Sequence, residues 1–117
     1  MPVQIINYKN KDIVYSDHRG LSGQKLIDNI RDGCALVLKQ GKDVLQLSDF
    51  RDSNLSKDAM DFARSEELKP VIKCIKKKAI VGVTGIKKMA LNLYSSVTGS
   101  TAKVFNTLEE AKEYLVT

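Results

Sequence analysis

The sequence predicts a single α/β domain with a mixed central sheet that is opened by a β-hairpin and covered by helices on both faces. Two short N-terminal segments with strand composition flank a polar turn, which is typical of an antiparallel hairpin. Further along, strand-like segments alternate with segments whose apolar residues recur at helical spacing. A length of 117 residues leaves room for one domain, residues 1–117, with one core. The predicted order of elements is β-β-α-β-α-β-α-β-α.

The first half of the chain is predicted to contain the hairpin, a long helix and a third strand. Lys9-Asn10-Lys11 is the polar turn of the hairpin. Ser22 is typical of a helix N-cap, and Gly41 of the residue that ends a helix. Between them apolar residues recur three or four positions apart, with Gly33 in the middle of the segment. The predicted bounds are 4–8 and 12–16 for the hairpin strands, 23–39 for the helix and 43–48 for the third strand.

The second half is predicted to alternate helices and strands. Ser56 is expected to cap a second helix. Pro70 is expected to end this helix and to begin a short turn. The run 79–83 is apolar and rich in β-branched residues, which favours a strand that is buried on both faces. Thr107 and Glu110 have the spacing of a capping box. The predicted bounds are 57–68 for the second helix, 79–83 for the fourth strand, 86–97 for the third helix, 103–105 for the last strand and 107–116 for the last helix.

Composition favours a globular cytoplasmic protein. Apolar residues make up 43% of the chain and charged residues 28%, which is ordinary for a folded domain. The N-terminus has no basic stretch followed by an apolar run, so no signal peptide is predicted. The longest uncharged run, 89–102, is interrupted by polar residues and predicts no membrane span. Cys34 and Cys74 lack metal-binding or redox spacing and are interpreted as reduced thiols.

The net charge of +5 is concentrated in the second half of the chain. Residues 69–117 contain nine lysines and three glutamates, whereas residues 1–68 are nearly balanced. Such asymmetry can indicate a nucleic-acid surface. Nucleic-acid sites usually also contain arginine and interleaved aromatic residues, and residues 69–117 contain no arginine. We therefore expect a solvated lysine face, and at most weak, sequence-independent association of these lysines with nucleic acid or anionic lipid.

Four stretches, taken together, resemble the small bacterial STAS-like proteins (sulfate transporter and anti-sigma factor antagonist). Their sequences are VYSDHRGL at 14–21, VLQLSDF at 44–50, AIVGVTG at 79–85 and FNTLEEAKEYLV at 105–116. The resemblance covers nearly the whole chain, and it implies an α/β sheet fold and a regulatory role through protein contacts. In the antagonists, a serine at the start of the second helix is phosphorylated within an Asp-Ser-Ser-Gly type of motif. The corresponding stretch here, 52–56, reads DSNLS and lacks the Ser-Gly pair; Ser53 and Ser56 are the candidate phosphorylation sites.

The candidate functional residues belong to loops that follow strands. In open α/β sheets, ligands bind at the carboxyl ends of the strands. Thr84 and Gly85 would open a helix whose N–H groups favour an anion, while Gly82 and Gly85 could instead serve close packing and a tight turn. A receiver-like phosphoacceptor site at Asp17, Asp49 and Thr84 lacks the required lysine at the end of the last strand. The candidates for binding an anion or a partner are Arg19, Asp49, Arg51, Thr84, Gly85, Lys87 and Lys88.

These patterns favour a non-catalytic regulatory or scaffolding module that acts by protein–protein contact. The lone His18 has no nucleophile at a recognisable spacing, so no catalytic residue, metal or cofactor is predicted. The alternative is a domain that binds a small anion, a nucleotide or a lipid at the same loops, and the chain could also form an oligomer. Arg51 is expected to be a surface residue, whose reversal to Glu would change the free energy of unfolding by about 0.5 kcal/mol at most. In the alternative, Arg51 pairs with Asp49 or Asp52 and holds the loop, and the reversal would cause a large loss of stability.

Overall fold

In a computed structural model of the chain, the described residues are 2–54, 56–63, 65–83 and 102–117. The helix predicted over 86–97 lies outside them, as do the candidate residues Thr84, Gly85, Lys87 and Lys88. The described elements are β1 (Val3–Tyr8), β2 (Lys11–Asp17), α1 (Gly23–Gln40), β3 (Val44–Asp49), α2 (Lys57–Ala63), a 3-10 turn (Glu66–Leu68), α3 (Lys69–Cys74), β4 (Ile75–Val81), β5 (Ala102–Phe105) and α4 (Leu108–Val116).

The hairpin of β1 and β2 closes through a two-residue loop. Tyr8 pairs with Lys11, so Lys11 belongs to β2 and only Lys9 and Asn10 form the loop. Both loop residues have positive φ, 50° and 66°. A two-residue turn of this kind matches the right-handed twist of the flanking strands, and asparagine adopts it readily.

The five strands form one mixed sheet in the order β1-β2-β3-β4-β5, which confirms the predicted fold class. β1 and β2 are antiparallel, whereas β2 to β5 run parallel. The last residues of the parallel strands are in register: Asp17 pairs with Asp49, Asp49 with Val81, and Val81 with Phe105. The segments that follow the four parallel strands therefore leave the sheet along one edge, which we call the carboxyl edge.

Helices cover both faces of the sheet, as predicted. α4 packs on one face, where Ala111 and Leu115 contact apolar side chains of the central strands such as Leu47. α1, α2 and α3 cover the other face. α1 lies close to β2 at Gly33. A Cβ at this position would be 2.5 Å from the Ser16 hydroxyl oxygen. The mid-helix glycine thus permits close approach of the helix to the sheet.

The second helix and the fourth strand differ from their predicted bounds. The helix predicted over 57–68 ends at Ala63, and a separate helix, α3, begins at Lys69. Pro70 lies in the first turn of α3, where its missing N–H costs no intrahelical hydrogen bond. β4 begins at Ile75 rather than at 79, because Ile75, Lys77 and Lys78 pair with β3 despite the lysine-rich composition of this stretch.

Gly82 permits the close packing of two chain segments at the carboxyl edge. Its φ is +90°, a region that non-glycine residues rarely adopt. A Cβ on Gly82 would lie 2.7 Å from the carbonyl carbon of Phe50 and closer still to the amide nitrogen of Arg51. The amide of Phe50 also donates to the Val81 carbonyl at 2.7 Å. The packing interpretation of Gly82 is therefore confirmed.

Replacing Gly82 with alanine should destabilise the protein by more than the backbone conformation alone explains. Positive φ costs a non-glycine residue about 1–2 kcal/mol, and the clash with residues 50 and 51 should add about 1–3 kcal/mol. Urea denaturation would measure the free energy of unfolding. Gly20→Ala is the matched control, since Gly20 has a similar φ of +74° and nothing within 4 Å of its added Cβ. Equal losses in the two variants would contradict the packing role.

Candidate functional site

Asp49 is a fully buried carboxylate at the centre of the carboxyl edge, where β3 ends. Its Oδ1 accepts hydrogen bonds from the backbone N–H of Arg51 at 3.1 Å and from Nε of Arg51 at 3.0 Å. Its Oδ2 accepts from Nη2 of Arg51 at 2.7 Å and from the Tyr15 hydroxyl at 2.9 Å. Both oxygens therefore accept hydrogen bonds from the protein, and the guanidinium of Arg51 binds the carboxylate in a forked contact.

The surroundings of Asp49 keep it charged. Burial by itself would raise the pKa of Asp49, but hydrogen bonds from Arg51 and Tyr15 outweigh burial and hold the pKa below its ordinary value. Burial and the hydrogen bond to Asp49 raise the pKa of the Tyr15 hydroxyl to about 12. The tyrosine is therefore a neutral donor to a charged acceptor at physiological pH.

Arg19 forms a second forked ion pair beside the first. Its Nε and Nη2 donate to the two oxygens of Asp17 at 2.9 and 2.8 Å. Its Nε also lies 3.9 Å from Oδ2 of Asp49, so the two ion pairs adjoin. The side chains of Arg19 and Arg51 are 52% and 41% exposed, respectively. Each arginine thus binds a carboxylate while about half of its side chain is exposed to solvent.

The neighbouring His18 is a buried structural residue. It is 2% exposed, and its ring stacks on Phe50 with the centroids 4.6 Å apart. Nδ2 of Asn29 contacts its Nδ1 at 2.9 Å and donates to the backbone carbonyl of Asp17 at 3.0 Å. Burial, with a further contribution from the charge of Lys78, lowers the pKa of His18 to about 4. The ring is neutral at physiological pH and ties the loop to α1.

Ser53 and Ser56, the candidate phosphorylation sites, use their hydroxyl groups in local hydrogen bonds. Ser53 donates from Oγ to the Phe50 carbonyl at 2.8 Å, within the turn that follows β3. Ser56 Oγ accepts from the amide of Ala59 at 3.4 Å, which is the capping contact expected before α2. Both serines are half-buried. Their phosphorylation stays a prediction.

The structure brings Arg19, Asp49 and Arg51 together and identifies partners that the sequence patterns did not indicate. Tyr15 is the main example. It precedes Asp17 by two residues, and strand periodicity could have placed it on the same face as that carboxylate. The side chain of Arg51 is the main hydrogen-bond donor to a buried carboxylate, which favours the alternative that Arg51 pairs with Asp49 and holds the loop. Reversal to Glu would place two carboxylates side by side.

Metal and thiol chemistry find little support in the described parts of the chain. Residues 2–54, 56–63, 65–83 and 102–117 contain no group of three or more histidine, cysteine or acidic residues arranged to hold a metal ion. Cys34 and Cys74 are free thiols, as predicted. Burial raises the pKa of Cys34 despite the nearby charge of Lys78, so this thiol is not activated.

Comparison with solved structures confirms the resemblance to STAS-like proteins at the level of the fold. The chain is similar to the crystal structure of an uncharacterized protein of the DUF3478 family with a SpoIIAA-like fold from Shewanella loihica PV-4. The TM-score is 0.72 and the sequence identity 16%, over 97% of this chain and 91% of that one. No family model and no curated protein matches the sequence. The protein therefore has a SpoIIAA-like α/β fold. None of the helices in the described ranges is long and apolar enough to span a bilayer.

Replacing Arg51 with methionine should destabilise the protein in a pH-dependent manner. At pH 7 the change leaves a buried carboxylate with few donors, and we expect the free energy of unfolding to fall by about 2–3 kcal/mol. In the wild type, the lowered pKa of Asp49 means that its contribution is present above about pH 4 and is lost as the pH falls through the folded-state pKa. In the variant, burial raises the pKa of Asp49, so the carboxyl group is protonated more readily. The difference in the free energy of unfolding between the wild type and the variant should therefore shrink as the pH falls from 7 to 4.

The matched control for this experiment is Arg31→Met. Arg31 pairs with Glu67 at 3.0 Å, and both side chains are about half exposed. Exposed pairs contribute little, so this variant should resemble the wild type at every pH. Urea denaturation at pH 7 and pH 4 measures both variants. A deficit in Arg51→Met that is the same at the two pH values would contradict the role assigned to Asp49.

His18 is the only histidine of the sequence, so it should dominate the pH dependence of stability between pH 7 and pH 5. Because its pKa is lowered to about 4 in the folded state, only the unfolded chain gains a proton in this range. The free energy of unfolding should therefore decrease by about 2 kcal/mol from pH 7 to pH 5. The decrease should be largely absent in His18→Gln. NMR titration of the ring would contradict the assignment if it gave an ordinary pKa near 6.5.

Proposed function

We propose that the protein is a non-catalytic regulatory module that binds a partner protein through the carboxyl edge of its sheet. The observation that carries this proposal is the pair of adjoining guanidinium groups of Arg19 and Arg51. Each guanidinium is held in place by a buried or half-buried carboxylate, and the side chain of each arginine is about half exposed. Arginine is enriched among the residues that dominate binding at interfaces, and side chains that are already ordered lose less entropy on binding.

The other titratable groups at this edge support binding rather than catalysis. Asp17 and Asp49 are each bonded to an arginine, so neither is poised to accept a proton or a phosphoryl group. His18 is buried and neutral, with its Nδ1 in contact with Asn29. General acid–base catalysis requires a group within reach of the substrate whose pKa suits the working pH. The described residues of this edge supply donors for recognition instead.

The partner should present an acidic group to this edge. A guanidinium has five N–H donors, and Arg19 and Arg51 each direct Nε and one Nη2 contact to their own aspartate. The remaining donors can bind a carboxylate of the partner, and planar forked donors suit that group. Because the inner aspartates neutralise the arginines, the contact depends on donor geometry more than on net charge.

A second candidate function is the binding of a small anion at the same edge. The paired guanidinium groups favour this candidate too, since phosphate and carboxylate ligands accept the same forked hydrogen bonds. The two candidates differ in what accompanies the folded protein. A regulatory module would carry a stoichiometric protein, whereas an anion-binding domain would carry a small molecule.

Native mass spectrometry of the protein purified from its own host separates the two candidates. We expect a stoichiometric protein partner on the wild type and at least about a tenfold loss of that partner with Arg19→Gln. Arg19 is the residue to change, because it is the more exposed of the two and its own partner Asp17 is half-buried. Arg31→Gln on α1 is the matched control and should retain the partner.

Each alternative outcome of this experiment has a defined meaning. A bound small molecule that is lost with Arg19→Gln would favour the anion-binding candidate. A protein partner that is retained equally by Arg19→Gln and Arg31→Gln would contradict the carboxyl edge as the binding surface. Thermal unfolding of both variants verifies that they fold.

A further inference from the structure

A cavity of about 360 Å³ lies at the opposite edge of the sheet, where the parallel strands begin. The ladder between β2 and β3 starts with the pair Val14 and Gln46. Lys11 and Val44 precede this pair on their strands and lie outside the paired part of that ladder. Both line the cavity. The volume is within the range of small-molecule sites, about 300–1,000 Å³, and is too small for a folded partner.

Part of the cavity lining, which we call the floor, is apolar. The residues that supply it are Ile5, Val14, Val44, Leu45 and Leu115. Four of them are at most 9% exposed and belong to the core, whereas Ile5 is 41% exposed although it is a large hydrophobic residue. A ligand with a short apolar body would contact this floor and remove exposed apolar surface from water, which is favourable.

Four lysines line the cavity, and one of them, Lys77, donates from Nζ to the Tyr114 carbonyl at 3.1 Å. A β-bulge brings Lys76 and Lys77 to this lining. Val44 pairs with Ile75 and Leu45 with Lys77, so Lys76 is the extra residue of β4 at this point. Consecutive residues of a regular strand point to opposite faces, but the bulge allows Lys76 and Lys77 to line the same cavity. Bulges of this kind re-aim side chains.

The remaining two lysines are available to neutralise a ligand. Lys11 and Lys42 are exposed, and within the described ranges neither forms an ion pair. Asp12 and Asp43 also line the cavity, and Asp12 accepts a hydrogen bond from Asn7 at 3.1 Å. Four lysines against two aspartates leave a side-chain charge of +2, which favours an anionic head group.

We propose that this cavity binds a small amphiphilic carboxylate, with its apolar body on the floor and its carboxylate among the lysines. Charge complementarity selects the anion, and the apolar floor selects against a fully polar one. The site is at the edge opposite to Arg19 and Arg51, so this proposal stands independently of the proposed function.

NMR titration of the ¹⁵N-labelled chain with octanoate tests the proposal. We expect saturable shifts centred on the amides of 42–45 and 76–77. Acetate provides the head group without the body, and octan-1-ol provides the body without the charge. Neither should produce the same shifts below the concentration at which octanoate saturates.

The double variant Lys11→Gln/Lys42→Gln tests the role of the lysines. One ion pair at about 4 Å contributes about 1 kcal/mol in water, so the Kd for octanoate should rise by at least about fivefold. Lys57→Gln, at the exposed start of α2, is the matched control and should leave the Kd unchanged. Three results would overturn the proposal: no saturable shift with octanoate, equal binding of octan-1-ol, or shifts confined to residues 17–21 and 50–54.

Discussion

The buried carboxylate of Asp49 and its hydrogen bonds are the interaction on which the carboxyl edge depends. A charged group at the end of a central strand would be costly if its oxygens lacked donors. Here the backbone and guanidinium of Arg51 and the hydroxyl of Tyr15 supply them. The carboxylate thereby orients a half-exposed arginine, so the same contact that satisfies a buried charge also fixes a recognition group at the surface.

The neighbouring loop is fixed by different means. His18 fills a buried space between Phe50 and Asn29, and its amide donates to the Asp49 carbonyl at 2.9 Å. Gly82, the first residue after β4, packs directly against the backbone of residues 50 and 51. The two arginines are therefore carried by loops whose backbone is held by core contacts. Because these loops are already ordered, few of their groups would lose conformational freedom when a partner binds.

The two edges of the sheet differ in how their charged side chains are paired. At the carboxyl edge, each arginine is matched by an aspartate within hydrogen-bond distance. At the opposite edge, lysines outnumber aspartates around a cavity whose lining is partly apolar. Part of the lysine surplus of residues 69–117 is located there, through Lys76 and Lys77. The solvated lysine face expected from composition thus includes a concave surface that composition could not indicate.

Local patterns in the sequence were enough to predict the order of the strands, the hairpin, the buried residues 79–81 of the fourth strand and the capping contact between Thr107 and Glu110 at 3.2 Å. Turns, caps and side-chain periodicity act over a few residues. Tertiary structure alone decided the rest. β4 extends back to Ile75 because pairing with β3 overrides a lysine-rich composition. Arg51 became a structural residue because the register of β2 and β3 brings Tyr15 and Asp49 together on one buried face, and burial makes the free energy of a charge depend on neighbours that are distant in sequence.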